Sequence, residues 1–112
     1  AAAIGSQGLL RLGHYLISKG DTKAGYKYFQ AGLTVVSALL DEPYLSTGKN
    51  HQGLLLHSIY HHPNGWDHIP AGSMIPYGES SMWGDYHIRE VCLWLQRVIT
   101  GNNYYTYFNC IV

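Results

Sequence analysis

Helical spacing of apolar residues holds at both ends of this 112-residue chain and fails between Tyr44 and Gly84, and that interruption constrains the fold more than any other feature. Glycine, proline, asparagine and histidine accumulate across it. Its single short apolar run, in HQGLLLHSIYHH from His51 to His62, suits a helical turn or a strand equally. Loops of this length without structure of their own are uncommon and usually functional. Upstream, Leu9, Leu12 and Leu16 repeat at helical spacing, while Ala1, Gly5 and Gly8 form a small-residue stripe that permits close backbone approach. Gly20 is the natural stop of this first helix. Asp21 or Thr22 then caps a second helix, which faces inward with Phe29, Leu33, Val36 and Leu40 and ends at Pro43. Downstream, a third helix is predicted from about Asp85 to Thr100, with Ile88, Val91, Cys92, Leu95 and Val98 inward and Gly101 as its stop. The expected fold is all-α, with an antiparallel helical hairpin, a long loop and a last helix, in a single segment over 1–112.

Charge narrows the partners. Seven lysines and arginines balance seven aspartates and glutamates, so no net field would hold a nucleic-acid backbone or an anionic membrane surface. No apolar run reaches the roughly 18 residues that a membrane span needs. Ten tyrosines, three tryptophans and seven histidines set against so few charges favour surfaces that stack on and hydrogen-bond to neutral polar ligands, and sugars are ligands of that kind. Cys92 and Cys110 are too few for a disulfide-stapled secreted domain and read as thiols. The opening residues AAAIGSQGLLRL already follow a helical pattern without an initiator methionine, as expected of a sequence that begins inside an element.

The densest mixture of chemistries is GESSMWGDYH, Gly78 to His87, which places hydroxyls, carboxylates, an indole, a phenol and an imidazole together. Ser80 and Ser81 stand just ahead of the third helix, where unpartnered backbone N–H groups and the helix dipole favour an anion such as a carboxylate or sulfate. One of them can equally serve only as the helix cap. Trp83 and Trp66 offer flat apolar faces with a polar edge, suited to the C–H face of a sugar or to the core. A metal site is the sharper alternative, because His57 and His61 would share a face if they lay on a helix, with His62 and His68 close in sequence. Against it, no Glu follows the first His and Pro63-Asn64-Gly65 interrupts any longer helix, so no metal is expected. Glu79 and Asp85 can be weighed as an acid–base pair, but Asp85 stands where a helix cap belongs. No Gly-x-Ser-x-Gly elbow supports a serine hydrolase.

Two stretches, GLLLHSIYHHPNGWD and GESSMWGDYH, together resemble the C-terminal part of the unsaturated glucuronyl hydrolases, glycoside hydrolase family 88. At the N-terminus AAAIGSQGLLRLG is similar to the helix that follows an Asp-Ser-Ser in those enzymes and reads Ala-Ala-Ala-Ile-Ala-Ala. The resemblance covers almost the whole chain, and its most specific parts are His-x-x-Tyr-His and Ser-x-Trp-Gly-Asp-Tyr. It implies an (α/α)6 barrel, of which this chain would supply about the last two helical hairpins. It also implies an activity, removal of 4,5-unsaturated uronic acid from the non-reducing end of lyase-generated oligosaccharides. In that reaction an acid protonates the double bond, water adds, and the hemiketal collapses without metal or organic cofactor. Ser80, Ser81 and Trp83 would line the substrate end, with His57 and Tyr60 near it. The family's two catalytic aspartates lie in its N-terminal half and nothing here matches them, so no catalytic residue is expected in this chain and little turnover from it alone. Its expected partners are the unsaturated uronic-acid oligosaccharide and either the remainder of the barrel or a second copy. The alternatives are a non-catalytic carbohydrate-binding module and a histidine-rich metal-binding domain.

Overall fold

The structure, a computed structural model, describes residues 1–48, 50–74 and 78–102. It is all-helical: α1 spans Ala2–Ser18, α2 Thr22–Leu39 and α3 Met82–Thr100, with one 3-10 turn at His62–Asn64. Among the described residues there is no strand. The apolar run after His51 is neither helix nor strand, and its one regular pairing is an isolated antiparallel bridge from Leu55 to Leu45.

The turn between α1 and α2 follows from its residues. Gly20 takes φ 89°, a conformation strained for residues with a side chain, and the Asp21 carboxylate caps α2 by accepting from the Ala24 N–H at 3.2 Å. The helices then meet backbone to backbone. A Cβ on Gly13 would lie 2.6 Å from the Phe29 nitrogen, one on Gly25 2.6 Å from Ile17 Cγ1, and one on Gly32 2.7 Å from Leu10 Cγ. These contacts advance along α1 as they recede along α2, so the hairpin is antiparallel, as expected.

The glycines in contact are not those the spacing picked out. Nothing lies within 4 Å of a Cβ placed on Gly5 or Gly8. The buried face of α1 is Ala3, Ser6, Leu10 and Gly13, and Leu12 is exposed. On α2 the buried residues are Gly25, Gly32, Val36 and Leu39, while Leu33 and Leu40 are exposed. Close packing through glycine turns the smallest residues of each helix inward and leaves neighbouring leucines at the rim.

Helix α3 begins at Met82, ahead of the expected Asp85, because Ser81 in extended conformation is its cap and accepts from the Gly84 N–H at 3.2 Å. It ends at Gly101, in the left-handed region at φ 68°. The His87 ring meets Gln7 at 2.7 Å and Trp94 packs edge-on to His14 at 5.5 Å; both contacts advance together, so α3 runs parallel to α1. Ile88, Val91 and Trp94 are its buried residues, and Leu95 and Val98 pack half-buried beside them. Cys92, expected inside, is exposed as a free thiol, and Trp94 fills the inward position instead; Cys110 lies outside the described residues. Leu55 is the loop residue that completes this core, joining Leu10, Val36, Leu39 and the α3 face. Burying a side chain of that size contributes about 1.5–3 kcal/mol, which anchors the middle of the loop to the helices.

Candidate functional site

Side-chain acceptors shape the loop where regular structure does not. Asp85, expected as a helix cap, projects from the first turn of α3 and accepts from the Leu54 and Leu55 N–H groups, both at 2.9 Å. Asp67 accepts from the Tyr60 and His61 N–H groups. Glu79 bonds His51 Nε2 at 2.8 Å. Glu79 and Asp85 are therefore engaged with different partners rather than with each other. Between these clamps the chain doubles on itself, with the His57 N–H donating to the Gly78 carbonyl and the Ser58 N–H to the Glu79 carbonyl at 3.0 Å. Gly78 is needed there, because a Cβ would lie 2.2 Å from His57 Cα. This paired ridge divides the surface into two sides.

On one side is an aromatic platform. Tyr60 lies between two indoles, its ring 5.4 Å from Trp83 at 16° and 5.6 Å from Trp66 at 28°, with His61 against Trp66 at 4.9 Å. Trp83 comes from the first turn of α3, and Tyr60 and Trp66 from the loop that Asp67 ties together. All three rings are more than half exposed, so they are not core residues.

Beside the platform is a cleft of about 150 Å³ lined by Ser58, Tyr60, Asp67, His68, Ser80 and Ser81, with Glu79 on its ridge side. Ser81 Oγ accepts twice, from the Gly84 N–H and from the Ser58 hydroxyl at 2.8 Å. A serine hydroxyl has two acceptor sites and one proton, so the proton is what Ser81 has left to offer a ligand. Ser80 packs against Gly53, where a Cβ would collide with its Oγ.

Across the ridge lies a larger cavity of about 640 Å³, lined by Glu42, Thr47, His51, His57, Ser73 and Glu79 among others. His57 thus lines this cavity and not the cleft of Ser80 and Ser81. Its backbone is in the left-handed region at φ 61°, and its ring stands edge-on to Tyr44 at 6.0 Å. The Glu79 carboxylate, and after it the Gly53 carbonyl, favour the protonated form of His51 and raise it above its ordinary value of 6.5.

Of the six residues singled out as ligand-binding, the structure brings together Ser80, Ser81, Tyr60, Trp66 and Trp83; only His57 stands apart. Sequence reasoning missed Ser58, Asp67 and the His51–Glu79 pair. Asp67 carried no local signal, because the amides it accepts from lie six and seven residues earlier in the chain. Residues 57–61 are not helical, so His57 and His61 share no helix face, and the His62 side chain lies outside the described residues. Among the described residues no three His, Cys, Asp or Glu side chains are gathered as a metal would require. No described helix is long and apolar enough to cross a membrane. No protein-family model, curated protein or solved structure matches the chain.

Proposed function

We propose that this chain is the substrate-binding end of an unsaturated glucuronyl hydrolase, the last two or so hairpins of an (α/α)6 barrel, and that its cleft receives the non-reducing terminal 4,5-unsaturated uronic acid. The observation that carries this is the Trp66–Tyr60–Trp83 platform beside a cleft where Ser81 keeps a hydroxyl proton at the start of α3. An exposed indole face stacks on a sugar ring, and a hydroxyl donor at a helix N-terminus suits its carboxylate. The exposed Leu12, Tyr15, Leu33 and Leu40 are what neighbouring helices of a barrel, or a second copy, would cover. On this reading the proton donor for the double bond is not among these residues.

A second reading has its own observation. The Asp67, Glu79 and Asp85 carboxylates each hold another part of the chain, which suits a binding module with no chemistry of its own.

Calorimetric titration of the chain with a 4,5-unsaturated uronide and its saturated counterpart separates the two. The hydrolase reading expects the unsaturated, flattened ring to bind more tightly; equal binding favours the module, and no binding to either removes both. Ser80→Ala is expected to weaken uronide binding about tenfold with an unchanged melting temperature, since one charge-assisted hydrogen bond is lost. Ser81→Ala is expected to weaken binding and also to cost about 1 kcal/mol of stability, because it removes the cap.

A further inference from the structure

Asparagine occurs five times in the chain and is followed by glycine once, at Asn64-Gly65. Both residues are exposed where the 3-10 turn ends, Gly65 takes φ 63°, and nothing lies within 4 Å of where its Cβ would be. The backbone nitrogen after an asparagine can attack that residue's side-chain amide, and a side chain on the attacking residue hinders the approach. Glycine has none. The dipeptide also stands at a joint of the platform. It lies inside the loop that the Asp67 carboxylate closes on the Tyr60 and His61 N–H groups, and the Asn64 N–H donates to the His61 carbonyl and to His61 Nδ1, both at 3.2 Å. Trp66 follows Gly65 directly and stacks on Tyr60 at 5.6 Å.

We propose that Asn64 is a site of spontaneous deamidation, and that its conversion to isoaspartate takes the Trp66 ring off the platform. The Gly65 nitrogen bonds to Asn64 Cγ, the bond from Cγ to the amide nitrogen breaks, and the displaced amino group leaves as ammonia with the Gly65 proton. Water then opens the cyclic succinimide. Cleavage between the Gly65 nitrogen and Cγ gives aspartate, which adds a charge and keeps the backbone. Cleavage between that nitrogen and the main-chain carbonyl carbon gives isoaspartate, whose main chain runs through Cβ and Cγ. The added atom lengthens the path from His61 to Asp67 by about 1.5 Å. Aromatic rings interact at centroid separations of about 4.5–7 Å, so that length is enough to carry Trp66 from 5.6 Å out of contact with Tyr60. Trp83, carried by α3, keeps its place on the other face of Tyr60. The change is in the platform itself and holds whatever ligand the platform receives.

The test is incubation of the full chain in mildly alkaline buffer, followed by peptide mass mapping with electron-transfer fragmentation, which tells isoaspartate from aspartate, and by proton NMR of the Tyr60 ring. The mass gain of an amide turned into an acid is expected at Asn64 ahead of every other asparagine, with isoaspartate among the products. In the isoaspartate form the Tyr60 ring protons are expected to lose the shielding that Trp66 supplies, by as much as they lose it in Trp66→Ala. Asn64→Gln lengthens the side chain, disfavours ring closure and is expected to abolish the gain at this position. Freshly prepared Asn64→Asp adds the charge without the length and should keep the Tyr60 shifts. A mass gain that begins at another asparagine, or at none, overturns the modification site. Isoaspartate at position 64 with unchanged Tyr60 shifts overturns its effect on the platform. The order in which the asparagines of the unaltered chain convert decides the site even where a variant misfolds.

Discussion

Helices α1 and α2 meet where side chains are missing, at Gly13, Gly25 and Gly32, whereas residues 44–81 are held by side chains added to an irregular backbone. In the hairpin the backbone groups away from the helix ends already have helical partners, so what is left to optimise between the helices is distance. In the loop the backbone groups have no ladder, and each amide turned inward must find an acceptor of its own. Asp85 and Asp67 supply such acceptors from the side chain, two amides each. The hairpin therefore tolerates polar variation and no added volume, while the loop tolerates volume and no lost acceptor.

The contrast breaks most sharply at Gly13. Gly13→Ala forces a methyl to within 2.7 Å of two backbone atoms that cannot move without separating the helices. The expected loss is about 3 kcal/mol in urea denaturation, at the upper end of overpacking costs. A loss below about 1 kcal/mol would mean that the helices slide freely and that glycine contact is not what holds them.

Asp85→Ala tests the other half. It strips two amides of a charged acceptor, and hydrogen bonds to charged groups contribute about 1.5–3 kcal/mol, so a loss of about 2 kcal/mol is expected. The helical circular dichroism of α1 and α2 should persist. Melting of the hairpin together with the loop would show that the two regions are not separable.

The smallest effect is on the His51–Glu79 pair. The folded state raises the imidazole above 6.5, so its contribution is fully present below that pH and is lost as pH rises through the folded value. The melting temperature is expected to fall slightly between about pH 6 and 8, and Glu79→Gln should flatten that part of the profile. An unchanged slope in Glu79→Gln would assign the drift to another group.

The same division explains what could be read from the sequence. Caps and stops were legible because they are local: Asp21, Gly20 and Gly101 act within a few residues of themselves. The helix faces were only partly legible, since counting leucines misses a contact built on their absence, and Leu12, Leu33 and Leu40 were placed inward for that reason. Ser80, Ser81, Tyr60, Trp66 and Trp83 stood out as residue types unsuited to a core, and the structure puts them side by side. Asp85 was misread because its partners, Leu54 and Leu55, are about thirty residues away, and nothing in helix-start chemistry points to so distant an amide.

That carboxylate also ties two clocks together. The Leu54 and Leu55 amide protons can exchange with solvent only when Asp85 lets go, and Asp85 is fixed to the opening turn of α3. Their exchange should therefore keep time with the amides of that turn rather than with the loop on either side, marking one unit that opens and closes as a whole. Because Ser58 and Ser81 lie between that turn and the cleft, a ligand that slows one of these clocks should slow both.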